Sequence, residues 1–136
     1  PNLSQTLVKH LENEDYDVYV VNYENCDQVG HTGDLGAAIK AVEAVDQGLA
    51  QVVPKALEKG VDVLITADHG NADSMVDENG KPHTSHTHNK VPFFYISKEN
   101  QKAQIKDGFL YDIAPTVLDL LGIKKPEAMI GSALVS

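Results

Sequence analysis

At 136 residues the chain is the size of one domain, and its 42% apolar content is enough for one core but not for two. A formal charge of −9 repels nucleic-acid phosphates and anionic lipid, and no apolar run reaches the about 18 residues of a membrane span, so neither nucleic acid nor membrane is an expected partner. Cys26 is the only cysteine and all 11 basic side chains are lysines, which excludes an internal disulfide, a thiolate zinc finger and an arginine fork on phosphate or carboxylate. The start, Pro1-Asn2-Leu3-Ser4, lacks the basic and apolar regions of a signal peptide, and the expected compartment is the cytoplasm. A start without methionine suits a piece of a longer protein, or a trimmed one.

Leu3, Leu7, Val8 and Leu11 recur at helical spacing, predicting a short amphipathic helix over 3–13 with Asn2 or Ser4 as its cap. Val18-Tyr19-Val20-Val21-Asn22-Tyr23 is β-branched and aromatic on both faces, as a buried parallel strand would be, and its end delivers Asp27. From Asp34 to Lys59 apolar positions mark one long helix or two, with Gly48 or Pro54 as the bend and Gly60 as the stop. Val61-Asp62-Val63-Leu64-Ile65-Thr66 follows as a second buried strand, completing a β-α-β crossover and delivering Asp68.

Residues 70–90 lack apolar periodicity, and Asp77-Glu78-Asn79-Gly80 signals a turn that closes a small hairpin. A loop this long in a compact domain is usually functional. Val91-Pro92-Phe93-Phe94-Tyr95-Ile96 is the third strand. If His86 is to reach the sheet edge where Asp27 and Asp68 emerge, strand 91–96 must run antiparallel to the others. Ile113, Val117, Leu118 and Leu121 line a last helix, with Asp112 near its start, Pro115 in its first turn and Gly122 past its end.

Five of the six histidines lie between 31 and 88, in Asp27-Gln28-Val29-Gly30-His31, in Asp68-His69-Gly70 and in His83-Thr84-Ser85-His86-Thr87-His88. Imidazole with carboxylate is a ligand set for zinc, manganese and iron. Asp-x-x-x-His alone is a weak signal, since a carboxylate capping a turn beside a surface histidine is commoner. Asp68-His69-Gly70 is stronger, because consecutive polar residues straight after an apolar strand break the alternation of a packed sheet. His83, His86 and His88 cannot all be ligands of one compact site. Thr84, Ser85 and Thr87 carry hydroxyls suited to orienting ligands. Asn71 reads as a turn cap, and Asp73 is open between capping and orienting. Asp27, His31, Asp68, His69 and one loop histidine make five ligands, too many for one tetrahedral ion with an open position. Five point to two ions and to phosphoryl transfer.

At these residues the chain resembles the cofactor-independent phosphoglycerate mutases, members of the alkaline phosphatase superfamily. The matching stretches run from Asn22-Tyr23 through Asp27-Gln28-Val29-Gly30-His31, Ile65-Thr66-Ala67-Asp68-His69-Gly70-Asn71-Ala72-Asp73 and His83-Thr84-Ser85-His86-Thr87-His88-Asn89-Lys90-Val91-Pro92 to Asp112-Ile113-Ala114-Pro115-Thr116. The resemblance implies a three-layer α/β/α fold, mostly parallel with strand 91–96 antiparallel, of which residues 1–136 are the C-terminal portion: a partial alkaline-phosphatase-like domain. It implies Asp27, His31 and His86 as protein ligands of one ion, and Asp68 and His69 as two ligands of a second. The metal would be manganese, with magnesium, zinc or cobalt accepted by the same set, and no organic cofactor. The implied reaction interconverts 3- and 2-phosphoglycerate through a phosphoserine. The serine nucleophile, a further aspartate and the substrate arginines would lie upstream, leaving this stretch inactive alone. Cys26, Gln28 and His88 depart from the Pro, Met and Thr of that pattern; His88 is expected to face solvent. A phosphopentomutase or phosphodiesterase of the same superfamily, or a non-catalytic metal-binding module, are the rival readings.

Overall fold

A computed structural model describes residues 2–13 and 15–136. Along the chain come α1 (Leu3–Asn13), α2 (Asn25–Gly30), α3 (Leu35–Glu58), β1 (Val63–Thr66), β2 (Phe93–Ile96), a 3₁₀ turn (Leu110–Asp112) and α4 (Ile113–Leu120).

Asn2 rather than Ser4 caps α1: its Oδ1 accepts from the Ser4 amide at 3.0 Å. The Ser4 hydroxyl is instead buried, 2.9 Å from the Tyr23 hydroxyl. Leu11 of α1 packs with Val52 and Ala56 of α3, and Leu7, Val8, Tyr19, Val61 and Val63 close around them. α3 is one helix that contains Pro54, capped at its start by Asp34 accepting from the Ala37 amide. Its end follows from Gly60, whose φ of 73° is left-handed. The Gly60 amide then reaches the Leu57 carbonyl and the Val61 amide the Ala56 carbonyl, satisfying groups the helix end would orphan. Gly122 closes α4 with the same pair of bonds, to Asp119 and Leu118.

β1 and β2 pair antiparallel, Val63 opposite Ile96 and Thr66 opposite Phe93, so the direction expected of strand 91–96 holds. The mixed helix and strand class also holds; among the described residues the sheet is this one antiparallel pair, without the parallel strand expected beside it. The correction lies at residues 18–23, which form no ladder with β1 and so no β-α-β crossover. The segment is pinned by side chains: Tyr19 sits against the Leu11 core and Tyr23 on Ser4. Its alternate side chains face outward, Val20 being 91% exposed.

The loop between the strands folds on itself. Val76 and Pro82 form a bridge, and Asp77 Oδ1 accepts from the Asn79 and Lys81 amides at 2.9 and 2.8 Å, which is the hairpin expected from Asp77-Glu78-Asn79-Gly80. Gly70 pairs with Thr87 and so lays the histidine-bearing loop along the segment after β1. At the other end, residues 104–106 pair with 134–136. Asp112 binds the Phe109 and Ser132 amides, both at 2.8 Å, fastening this tail across the start of α4.

Candidate metal centre

Asp27 lies on α2 and His31 caps its end, its amide bonded to the Asp27 carbonyl at 3.2 Å, so a spacing of four sets both side chains on one side of the turn. Asp27 Oδ1 lies 3.2 Å from His31 Nε2 and 3.1 Å from His86 Nε2. His69 Nε2 approaches the same oxygen at 3.8 Å and Asp68 Oδ1 at 3.6 Å. His69 and His86 stack with ring centroids 3.6 Å apart, and His31 tilts against His86 at 5.1 Å. One carboxylate oxygen is thus the meeting point of three imidazoles from three segments, and Asp68 joins them through His69. Among the described residues, Asp27, His69 and His86 each offer a ligand atom within 4.8 Å of the others, close enough to share one cation.

The ring orientations follow from their far sides. His31 Nδ1 is 2.7 Å from the Thr84 carbonyl, an acceptor only, so Nδ1 carries the proton and Nε2 keeps its lone pair toward Asp27. A weaker contact of the same kind joins His69 Nδ1 to the Gly70 carbonyl at 3.4 Å. Both arrangements are those of metal-binding histidines, whose second nitrogen is usually tied to a carbonyl or carboxylate. Of the other loop histidines, His83 turns away to the Ser74 carbonyl, and His88 is exposed on the rim of a cavity lined by Asp68, His69, Lys90, Lys106 and Phe109.

Burial would raise the Asp27 pKa, but the Asn71 hydrogen bond and the charges of His31, His69 and His86 outweigh it and hold the carboxyl below its ordinary value. An ionised Asp27 is the form that binds a cation, which would take the place of the imidazole protons.

A sequence profile described as the metalloenzyme superfamily matches residues 2–125. The chain belongs to the metalloenzyme superfamily. It is 48% identical over 133 residues to the 2,3-bisphosphoglycerate-independent phosphoglycerate mutase of Clostridium acetobutylicum, covering 97% of this chain and 26% of the relative. To the second such enzyme of Methanosarcina barkeri it is 47% identical over 134 residues, covering 98% and 25%. The chain therefore spans about a quarter of the length of the curated relatives it matches. A crystal structure of Leishmania mexicana phosphoglycerate mutase, determined at low cobalt concentration, superimposes with a TM-score of 0.86 at 33% identity, covering 98% of this chain and 27% of that one. Divalent metal dependence fits both this superfamily and the donors present here: the half-buried Asp27 carboxylate, three imidazoles and the exposed Asp68 form a hard to borderline set.

Two supporting residues stand behind the ligands, one misread from spacing and one left open between two roles. Asn71 was expected to cap a turn; instead its side chain is buried and its Nδ2 donates to Asp27 Oδ1 at 3.1 Å. Asp73 orients the histidine loop, accepting from Thr87 Oγ1 at 3.1 Å and Asn89 Nδ2 at 2.6 Å. Those two bonds hold its pKa down against the opposing effect of burial, the Asn89 bond most of all. The signal that could have found Asn71 is its position three residues after Asp68, within the polar run that follows the strand.

Proposed function

We propose that this chain is the C-terminal, metal-binding portion of the catalytic domain of a cofactor-independent phosphoglycerate mutase. Asp27, His31 and His86 hold one divalent ion, and Asp68 and His69 contribute to a second. The observation that carries the reading is the convergence of three imidazole Nε2 atoms on Asp27 Oδ1 from three separated segments. Bound divalent cations at such a site offset phosphoryl charge and lower the pKa of a coordinated hydroxyl or water. The part played by this chain's residues is to fix the donors: α2 sets Asp27 and His31, the exit from β1 sets Asp68 and His69, and the loop bonded to Asp73 sets His86.

Manganese is the ion of this proposal, with magnesium, zinc or cobalt tolerated by the same donors. Its substrate is phosphoglycerate, and the compartment is the cytoplasm; no helix among the described residues is long and apolar enough to cross a membrane. Support for a larger whole comes from Val20, Ile130 and Phe109, large apolar side chains left 91%, 82% and 66% exposed. The serine nucleophile, the remaining aspartate ligand and the substrate arginines belong to the rest of that enzyme.

The test is mutase turnover with manganese, assayed on these 136 residues and on the full natural polypeptide. Turnover by the longer protein only is the expected result. Robust turnover by the 136 residues alone would overturn the division of labour, and turnover of phosphopentoses in place of phosphoglycerate would overturn the substrate.

A further inference from the structure

Asn71 is 5% exposed, and its amide is split between two situations. Nδ2 donates to Asp27 Oδ1, whereas Oδ1 is buried with no hydrogen-bond partner among the described residues. The reverse orientation would set two oxygens face to face, so the carboxylate dictates which end of the amide points at it. A buried acceptor left without a donor is a cost that an apolar side chain of similar size would avoid. Gly30 makes the arrangement sterically feasible, because a Cβ at that position would stand 2.1 Å from Asn71 Oδ1 and 2.6 Å from its Cγ.

We propose that Asn71 is a positioning residue for the metal carboxylate, its amide seated over Gly30 so that Asp27 Oδ1 is held where the three imidazoles face it. The inference rests on the metal-site reading above and adds to it a residue that is not a ligand. A carboxylate oxygen accepts along two lone-pair directions, so the Asn71 hydrogen bond leaves one free for a cation. Without that bond Asp27 can turn about its side-chain torsions, and a ligand on a six-residue helix has little else to fix it. The bare face of Gly30 gives Oδ1 the room it occupies, so the glycine belongs to the same device.

The experiment is a calorimetric Mn2+ titration, with thermal unfolding recorded in parallel, on the full natural polypeptide and three variants of it. Asn71→Ala weakens Mn2+ binding by about 10- to 100-fold, the usual loss when a partner of a metal ligand is removed. Gly30→Ala does the same while keeping every polar group, because the methyl occupies the place of Oδ1. In the double variant Gly30→Ala with Asn71→Ala, the new methyl occupies space vacated by the amide. Its Tm recovers toward that of the unmutated protein and its Mn2+ affinity does not. Affinity of Asn71→Ala within twofold of the unmutated protein would overturn the inference, as would recovery of affinity together with Tm in the double variant. Absence of any Mn2+ binding by the unmutated protein would overturn the metal reading itself, and the inference with it.

Discussion

Thr116 is fully buried, at 0% exposure, and its hydroxyl is the hinge between α4 and the C-terminal tail. It donates to the Asp112 carbonyl at 2.7 Å and accepts from the Leu134 amide at 2.9 Å. Thr116→Val keeps the shape and removes both bonds, so no cavity confuses the result. The Leu134 amide is left buried without an acceptor, costing about 1–3 kcal/mol, and the lost donor to Asp112 adds about 1 kcal/mol. The sum is about 2–4 kcal/mol. With an unfolding entropy of about 2.1 cal/mol/K per residue, this chain gives up about 1 °C of Tm for each 0.29 kcal/mol, so the drop is about 7–14 °C. Thr116→Ser is the control: it keeps both bonds and loses one methyl group, about 1 kcal/mol and about 3 °C. Differential scanning calorimetry of the two variants decides the matter. A valine variant as stable as the serine variant would refute the claim that hydrogen bonding, and not methyl packing, fastens the tail. The consequence reaches the site, because Leu134 together with Ile105 and Lys106 lines the cavity beside Asp68 and His69.

Gly60→Ala meets nothing within 4 Å, so its cost is that of left-handed backbone alone, about 1–2 kcal/mol, read as a shift in urea midpoint at unchanged slope. Gly48→Ala has an ordinary helical setting but would bring a Cβ to 2.5 Å from Ser4 Oγ, and it therefore destabilises by separating α1 from α3; the same urea titration is expected to show a larger shift than at Gly60. The Asp112 carboxyl is held below the ordinary range by the Phe109 and Ser132 amides, with burial opposing them. Its folded pKa is depressed, so its contribution to stability is present above about pH 4 and is lost as pH falls through the folded value. Asp112→Asn should lower Tm at pH 7 and flatten the decline of Tm below about pH 4, and an unchanged acid limb in that variant would contradict the assignment.

Long elements were legible because their signals are redundant. α3 combines apolar periodicity with a capping Asp34 and a closing Gly60, and β1 is an apolar run bounded by that glycine and by Asp68. The antiparallel direction of β2 followed from asking His86 to reach Asp27, and the 3.1 Å contact between them bears out the demand. α2 was missed because six residues with the sequence Asn-Cys-Asp-Gln-Val-Gly carry no apolar stripe; packing against α3, not propensity, makes them helical. Residues 18–23 have the composition of a strand, but a strand also needs a partner backbone, and among the described residues Tyr19 and Tyr23 hold the segment by their side chains without one. The same limit hid Asn71. A spacing rule can propose which residues are ligands, whereas the residue that steadies a ligand depends on what stands opposite it, here the bare face of Gly30.

Anomalous diffraction at the manganese absorption edge, from crystals of the full natural polypeptide grown with Mn2+, measures directly whether a cation sits at Asp27. The prediction is an anomalous peak within coordination distance of Asp27, His31 and His86, and a second one beside Asp68 and His69. Ordered Asp27 and His86 side chains with no anomalous density between them, at saturating Mn2+, would contradict it.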